Sequence, residues 1–305
     1  MKYRREVIKI MSKPRQNPNM EQYKVDKPAE LLPFLLSIMS QQSRNSVKSI
    51  LTRGQVFVNN QEVTKHDFML EPGYTVTIQK NKAAKAATFE KMNILYEDDA
   101  IIVIEKDAGL LSIATEKEKS LTAYKQLMTY VRKINPKNRI YVVHRLDRET
   151  SGVMLFAKSE QVKQTLQNGW KDMVKERSYV ALVEGILNKR EDTITSWLKE
   201  SKTFKMFSSE KPNDGKKAIT HYKVIKANNN LSLLSVYLET GRKNQIRVHM
   251  SDIGHPIVGD KKYGSKVNPI GRLGLHAIVL AIKHPVTGEL LRFKSDIPKV
   301  FLKKR

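Results

Sequence analysis

The densest group of reactive side chains in the sequence is Val143-His144-Arg145-Leu146-Asp147-Arg148-Glu149-Thr150-Ser151-Gly152. Arg145 and Arg148 flank the Asp147 carboxylate, and nearby cations favour the charged form. An ionised carboxylate is what nucleophilic catalysis requires. The same string also fits an apolar strand, a solvated charged turn and a returning strand Val153-Met154-Leu155-Phe156, which needs no chemistry. A third reading pairs Asp147 with Glu149 as the two carboxyl groups of a glycoside hydrolase, which stand roughly 5–9.5 Å apart. Little else favours that one, because aromatic residues make up 7% of the chain and only two are tryptophan.

Two further stretches carry polar side chains in ordered patterns. In Glu239-Thr240-Gly241-Arg242-Lys243-Asn244-Gln245-Ile246-Arg247-Val248-His249 a glycine turn precedes an alternation. On a strand, Gln245, Arg247 and His249 would share one face and Ile246 and Val248 the other. In Glu176-Arg177-Ser178-Tyr179-Val180-Ala181-Leu182-Val183-Glu184-Gly185, Tyr179 sits early in an apolar strand. The simplest role for a lone tyrosine there is core packing. His249, His255, His276 and His284 read first as structural hydrogen-bonding residues.

These side chains need a frame. From residue 91 on, short β-rich runs recur at Ile94–Tyr96, Ile101–Glu105, Ile140–Arg145, Val153–Ala157, Ser178–Val183, Ala218–Ile225, Leu231–Leu238 and Gln245–His249. Helical patterns intervene near 120–134, 159–173 and 275–282. Strands outnumber helices at hairpin-like spacing, so the expected fold class is α+β with a mainly antiparallel mixed sheet.

Residues 27–80 read as a separate small module. An apolar helical patch (Leu31 to Met39) is followed by a second helix capped by Ser43, a glycine stop at Gly54, a hairpin turned at Asn59–Asn60 and a strand Tyr74–Gln79. Residues 1–26 are polar and basic and are expected to be a flexible arm, in which 2–11 could form a strand. Residues 81–90 read as a linker, and 91–305 as the catalytic body.

Charge points to the partner. There are 55 Lys and Arg against 31 Asp and Glu, a net +24, and most of the excess lies in residues 91–305. Such an excess marks a polyanionic partner. No apolar run approaches the roughly 20 residues that cross a bilayer, and the charged N-terminus is a poor secretory signal. A membrane partner is therefore not expected, and a cytoplasmic location is. The chain has no cysteine, which excludes disulfides, thiol nucleophiles and cysteine-ligated metals. Its seven histidines are scattered, with no His-Glu-x-x-His pattern, so no metal is expected.

Two resemblances sharpen this reading. Ser43-Arg44-Asn45-Ser46, Arg53-Gly54-Gln55-Val56-Phe57-Val58-Asn59-Asn60 and Pro72-Gly73-Tyr74-Thr75-Val76 resemble the S4 RNA-binding domain, although Tyr74 stands where that family usually has an acidic residue. Arg44, Lys48 and Arg53 would then hold phosphates, which positions RNA without reading its sequence. The His144–Gly152 string resembles the RluA-type pseudouridine synthases over about residues 91–300. Gly254-His255-Pro256-Ile257-Val258-Gly259-Asp260-Lys261-Lys262-Tyr263-Gly264 and Leu275-His276-Ala277 are supporting matches.

The second resemblance implies roles. Asp147 would be the nucleophile that lets uracil leave the ribose and rejoin through carbon 5. Arg145 would fill the space of the extruded uridine; extrusion is needed because a stacked base hides its glycosidic bond. Tyr179 would lie on the base and serve proton transfer at carbon 5. Arg247 would pair with Asp147, Ile246 would wall the uracil, and His144 would contact substrate. Asp260 and Tyr263 would shape the site. Asn244 stands where the family usually carries histidine; both donate hydrogen bonds, but asparagine does not titrate. No cofactor is implied, since the reaction rearranges one nucleotide. The expected partner is RNA, ribosomal before transfer RNA, with no obligate protein partner. A non-catalytic RNA-binding or ribosome-assembly factor on the same fold is the alternative.

Overall fold

The computed structural model describes residues 20–40, 42, 44–52, 54–79, 89–116, 118–228 and 230–303. The chain divides into two compact units, Met1–Ala86 and Ala87–Arg305.

The first unit contains β1 (Met20–Lys24), β2 (Ala29–Glu30), α1 (Leu31–Ile38), α2 (Arg44–Thr52), β3 (Val56–Val58), β4 (Gln61–Glu62), β5 (Met69–Leu70) and β6 (Thr75–Gln79). A four-stranded sheet runs β1-β6-β3-β4, and β2 pairs with β5. Leu31 and Leu35 of α1 and Val47 and Leu51 of α2 pack with Val56 and Ile78 of the sheet. Asn59 and Asn60 take φ of 48° and 68°, the left-handed pair that a two-residue hairpin demands. Strand β1 lies within the stretch expected to be a flexible arm. It pairs antiparallel with β6 from Met20↔Gln79 to Lys24↔Thr75, while Tyr23 packs on the core and Val25 is buried in it. Those two apolar residues fix the chain where its polar composition suggested none would. The possible strand over residues 2–11, the Ser43 cap, Arg53 and residues 81–88 of the expected linker lie outside the described residues.

The second unit begins with β7 (Met92–Glu97), β8 (Ile101–Lys106), α3 (Ala123–Ile134), β9 (Tyr141–Val142) and β10 (Ser151–Ala157). There follow α4 (Glu160–Asn168), α5 (Trp170–Met173), β11 (Val174–Glu184), β12 (Glu191–Glu200), β13 (Met206–Ser209), β14 (Lys216–Ala227) and β15 (Leu231–Leu238). The chain closes with α6 (Gln245–Asp252), β16 (Leu275–Lys283), β17 (Leu290–Lys294) and α7 (Lys299–Leu302). Eleven strands form one sheet in the order β13-β12-β14-β15-β11-β16-β10-β8-β7, with β17 on β16 and β9 on β10. Only the β10–β16 pair is parallel, so the sheet is mixed and mainly antiparallel, as expected.

Both faces of its centre are covered. Ile102, Ile104, Met154 and Phe156 face Leu127 and Val131 of α3. Ile101, Val103, Val153 and Leu155, the alternate residues, face Val162 and Leu166 of α4. Burying one such side chain contributes about 1.5–3 kcal/mol. Each helix starts at a hydroxyl cap: Thr122 Oγ1 accepts from Lys125 N at 3.0 Å and Ser159 Oγ from Val162 N at 3.2 Å. The helix expected over 159–173 is split at Gly169, which ends α4 and opens α5.

Two expectations of type are reversed. Residues 275–282 form strand β16, not a helix. Nearly every side chain there is buried, because the strand lies at the sheet centre between β11 and β10. A run apolar at every position has no period to distinguish the two. Residues Gln245–His249 form helix α6, not a strand. Gln245 and His249, four apart, both reach Thr220 Oγ1, at 2.9 and 2.8 Å. Their polar groups are buried with hydrogen-bond partners, so these two polar side chains belong to the core.

Gly152 takes φ +117°, and a Cβ there would stand 2.1 Å from the carbonyl oxygen of Ala277, its partner across the parallel pair. Gly152→Ala should therefore cost more than about 3 kcal/mol, read as a lower urea midpoint at an unchanged slope.

Candidate active site

Residues 143–150, between β9 and β10, carry Asp147. The strand expected over Ile140–Arg145 is confined to Tyr141–Val142, and the backbone beyond it is irregular. Its polar groups are satisfied from far along the chain. Ser112 Oγ donates to Leu146 O at 2.7 Å and accepts from Leu146 N at 3.2 Å. Gly109 N donates to Arg148 O at 2.9 Å. Lys106 Nζ donates to the carbonyls of Leu110, Arg148 and Asp107 at 2.8, 3.0 and 3.0 Å. Lys106 is completely buried. Burial pulls its ammonium down to about 7, against the opposing charges of Glu149 and then Asp147.

Sequence reasoning missed this lysine. The signal was present: Ile102, Ile104 and Lys106 alternate along β8, so the lysine continues the core-facing row.

The cation that touches Asp147 comes from elsewhere in the chain, and not from its neighbours. Arg148 reaches Glu118 at 3.4 Å. Arg145 is exposed at the cleft and makes no hydrogen bond or ion pair among the described residues. Arg247 Nη1 stands 3.2 Å from Asp147 Oδ2. Its Nε and Nη2 clasp Asp260 at 2.7 Å each, and its guanidinium carbon lies 4.9 Å from the Tyr263 ring centre. The helical geometry of α6 explains the arrangement. Gln245 and His249 turn to Thr220, and Arg247, about 200° round the helix from Gln245, turns to the cleft. Burial works against the charge of Arg247, but Asp260 and then Asp147 outweigh it and hold the guanidinium above its ordinary range.

Asn244 supplies the second contact. Its Nδ2 donates to Asp147 Oδ2 at 2.5 Å, and its Oδ1 accepts from Tyr263 Oη at 3.0 Å. The Tyr263 hydroxyl in turn accepts from Met206 N at 3.2 Å. Asn244 takes φ 53°, a left-handed conformation that asparagine tolerates. Asp260 and Tyr263 reach Asp147 only through Arg247 and Asn244. Asn244, to which no role was assigned, touches the carboxylate.

Asp147 opens on a cavity of about 650 Å³. Arg145, Tyr179, Ile246, His144 and Arg247 line it, with Leu146, Leu238 and Leu275 adding apolar wall. Tyr179 packs between two core clusters, and its hydroxyl has no hydrogen-bond partner among the described residues. Burial pushes its pKa up, with Arg177 opposing and Asp147 assisting, so it stays a phenol. His144 Nε2 accepts from Leu155 N at 3.1 Å, which requires that nitrogen to be unprotonated. Its ring packs on Trp170 at 5.2 Å between centres. Burial first, then Arg177, pushes it down to about 4. Of the residues expected to hold phosphates, Arg44 and Lys48 lie on α2 of the other unit, Arg44 exposed and Lys48 half-buried.

His249 and His276 are buried and bonded on both ring nitrogens. His249 reaches Ser196 and Thr220; His276 reaches Ser151 at 2.7 Å and Ser295 at 3.0 Å. Burial pushes each down to about 4. Both folded values lie below the ordinary 6.5, so between pH 6.5 and 4 the unfolded chain binds protons that the folded one refuses. Stability should be indifferent to these groups above pH 6.5 and fall across that window, by up to roughly 1.4 kcal/mol per pH unit for each histidine. Urea unfolding at pH 6.5 and 5 checks this, and His276→Gln should have a shallower pH slope than the parent.

Comparison with known proteins adds a separate line of evidence. Residues 100–252 match the family described as RNA pseudouridylate synthase. Over 273 residues the chain is 33% identical to the uncharacterised RNA pseudouridine synthase YlyB of Bacillus subtilis, covering 87% of this chain and 89% of that one. Over another 273-residue alignment it is 32% identical to ribosomal large subunit pseudouridine synthase D of Vibrio cholerae, covering 84% of each. The solved structure of human RNA pseudouridylate synthase domain containing 1 superposes with a TM-score of 0.54 at 26% identity, over 70% of this chain and 86% of that one.

Proposed function

The chain belongs to the RNA pseudouridine synthase family, and on that premise we propose that it isomerises specific uridines of large-subunit ribosomal RNA with Asp147 as the nucleophile. It is an isomerase acting on RNA. The observation that carries the catalytic assignment is the Asp147 carboxylate at the cavity, with Arg247 and Asn244 both donating to its Oδ2. The likeness to a ribosomal large subunit pseudouridine synthase supports the choice of RNA, as does the net charge of +24.

The reaction breaks the bond from ribose C1′ to uracil N1, forms one from C1′ to C5, moves a proton from C5 and leaves one on N1. No atom is gained or lost, so a nucleophile, a proton carrier and a shaped pocket suffice. Arg247 and Asn244 keep the nucleophile aimed, since a carboxylate with two donors on one oxygen cannot rotate freely. Tyr179 is a neutral phenol with free lone pairs, so its oxygen can relay the C5 proton by releasing its own hydroxyl proton to solvent as it accepts. Ile246, Leu146 and Leu275 give the base an apolar wall. Arg145, unpaired at the cleft, replaces the extruded nucleotide in the stack, a role that a planar guanidinium suits. The first unit, S4-like in its motifs, adds phosphate contacts through Arg44 and Lys48. An RNA substrate fits a cytoplasmic location.

The test is incubation of the purified protein with unmodified transcripts of large-subunit ribosomal RNA and of transfer RNA, followed by mass-spectrometric mapping of pseudouridine. Conversion at discrete positions of the ribosomal transcript supports the reading. Conversion of transfer RNA alone replaces the substrate, and binding without conversion of either favours an assembly factor on the same fold.

A further inference from the structure

We propose that Phe204, at the tip of the β12–β13 hairpin, is a stacking platform for an unpaired base in the RNA strand flanking the target uridine. The inference rests on RNA being the substrate, and it assigns a contact outside the catalytic cleft's floor.

Phe204 is 71% exposed, more than any other large hydrophobic side chain among the described residues. It also takes φ +59°, a conformation that is an outlier for an aromatic residue and costs on the order of 1–3 kcal/mol. Folding gains nothing from either feature. The turn nevertheless holds the residue in place. Phe204 N donates to Ser201 O at 2.9 Å, Ser201 N to Lys205 O at 2.8 Å, and Lys205 N to Ser201 Oγ at 3.1 Å. Lys262 Nζ donates to Phe204 O at 3.1 Å.

The surroundings select the occupant. Lys243 Nζ, which pairs with Glu200, lies 5.8 Å from the Phe204 ring centre, and Lys205 and Lys262 stand 5.6 and 5.8 Å from the ring of Tyr263. Lys202 is exposed in the same turn. An exposed aromatic ring with one ammonium beside it and three more lysines in or against its turn suits a nucleobase with its phosphates, since every base has a π face and every link a negative charge. An apolar protein surface would gain nothing from the lysines.

Position links the platform to the chemistry. Lys243 lines the cleft and precedes Asn244, which holds Asp147. From the hairpin, Met206 N bonds Tyr263 Oη, Tyr263 bonds Asn244, and Asn244 bonds Asp147. A base stacked on Phe204 is therefore held at a set distance from the nucleophile.

The experiment uses the full chain and a fluorescein-labelled single-stranded decauridylate, with binding read by anisotropy over a range of salt. Phe204→Ala should weaken binding about tenfold or more with no change in salt slope, because no charge is removed. Phe204→Trp should keep the affinity, and Phe204→Leu, apolar without a π face, should behave as the alanine variant does. Parental affinity in Phe204→Ala overturns the proposal. So does parental affinity in Phe204→Leu, which would mark a purely apolar contact of the kind a protein partner makes. Phe204-dependent binding in a protein that converts no uridine would count against the proposed function and leave the platform standing.

Discussion

Asp147→Asn is expected to abolish pseudouridine formation, by on the order of 10⁴-fold or more, since single nucleophile losses elsewhere have effects of that size. The substitution keeps the volume and one acceptor oxygen. The contacts from Asn244 and Arg247 converge on Oδ2, so an amide with its oxygen in that place preserves both. What it loses is the negative charge and the electron pair offered to the sugar or base. Thermal stability and RNA affinity should stay close to those of the parent, because Asp147 is half-buried and its loss leaves Arg247 still clasped by Asp260. The measurement is single-turnover conversion of a uridine-labelled transcript, with anisotropy as the control. A variant that binds RNA and still converts it at a comparable rate would remove Asp147 from the mechanism.

That experiment also probes how far the sequence alone could be read. Asp147 was legible because charged and hydroxyl residues crowd between two apolar runs. Its partner was not legible from composition, since Arg145 and Arg148 stand nearer in sequence and neither touches it. The resemblance identified Arg247, yet the alternation of Gln245–His249 placed it on a strand. A helix offers the same residues a different geometry, and only the hydrogen bonds from Gln245 and His249 to Thr220 decide between them. Those bonds depend on one residue, 25 positions from Gln245 and 29 from His249, beyond any local pattern. The same limit explains β16, whose apolar run fits a buried strand or a helix until its neighbours β11 and β10 are known. Asn244 and Lys106 were missed for opposite reasons. Asn244 departs from the residue that the resemblance leads one to expect, and its value lies in a left-handed backbone invisible in the sequence. Lys106 sits in plain alternation with Ile102 and Ile104, where a charged residue reads as a strand end. The three carbonyls that receive it belong to loops whose course is set by tertiary structure.

The largest structural effect is expected from Asp260→Ala. The Asp260 side chain is 1% exposed and that of Arg247 14%, and two 2.7 Å bonds join them. Removing the aspartate leaves a buried guanidinium with the single 3.2 Å hydrogen bond to Asp147 and the face of the Tyr263 ring. Breaking one side of a buried pair costs about 3–5 kcal/mol, which for a unit of this size lowers the melting temperature by roughly 10 °C. Activity should fall as well, because Arg247 would lose the clasp that aims it. The two effects separate in the double variant Asp260→Ala with Arg247→Met, which removes both charges. An apolar side chain in place of the unpaired guanidinium should recover much of the lost stability. It should not recover activity, since Asp147 would then keep Asn244 alone. Recovery of conversion together with stability would mean that Arg247 serves the fold only, and that Asn244 suffices to hold the nucleophile.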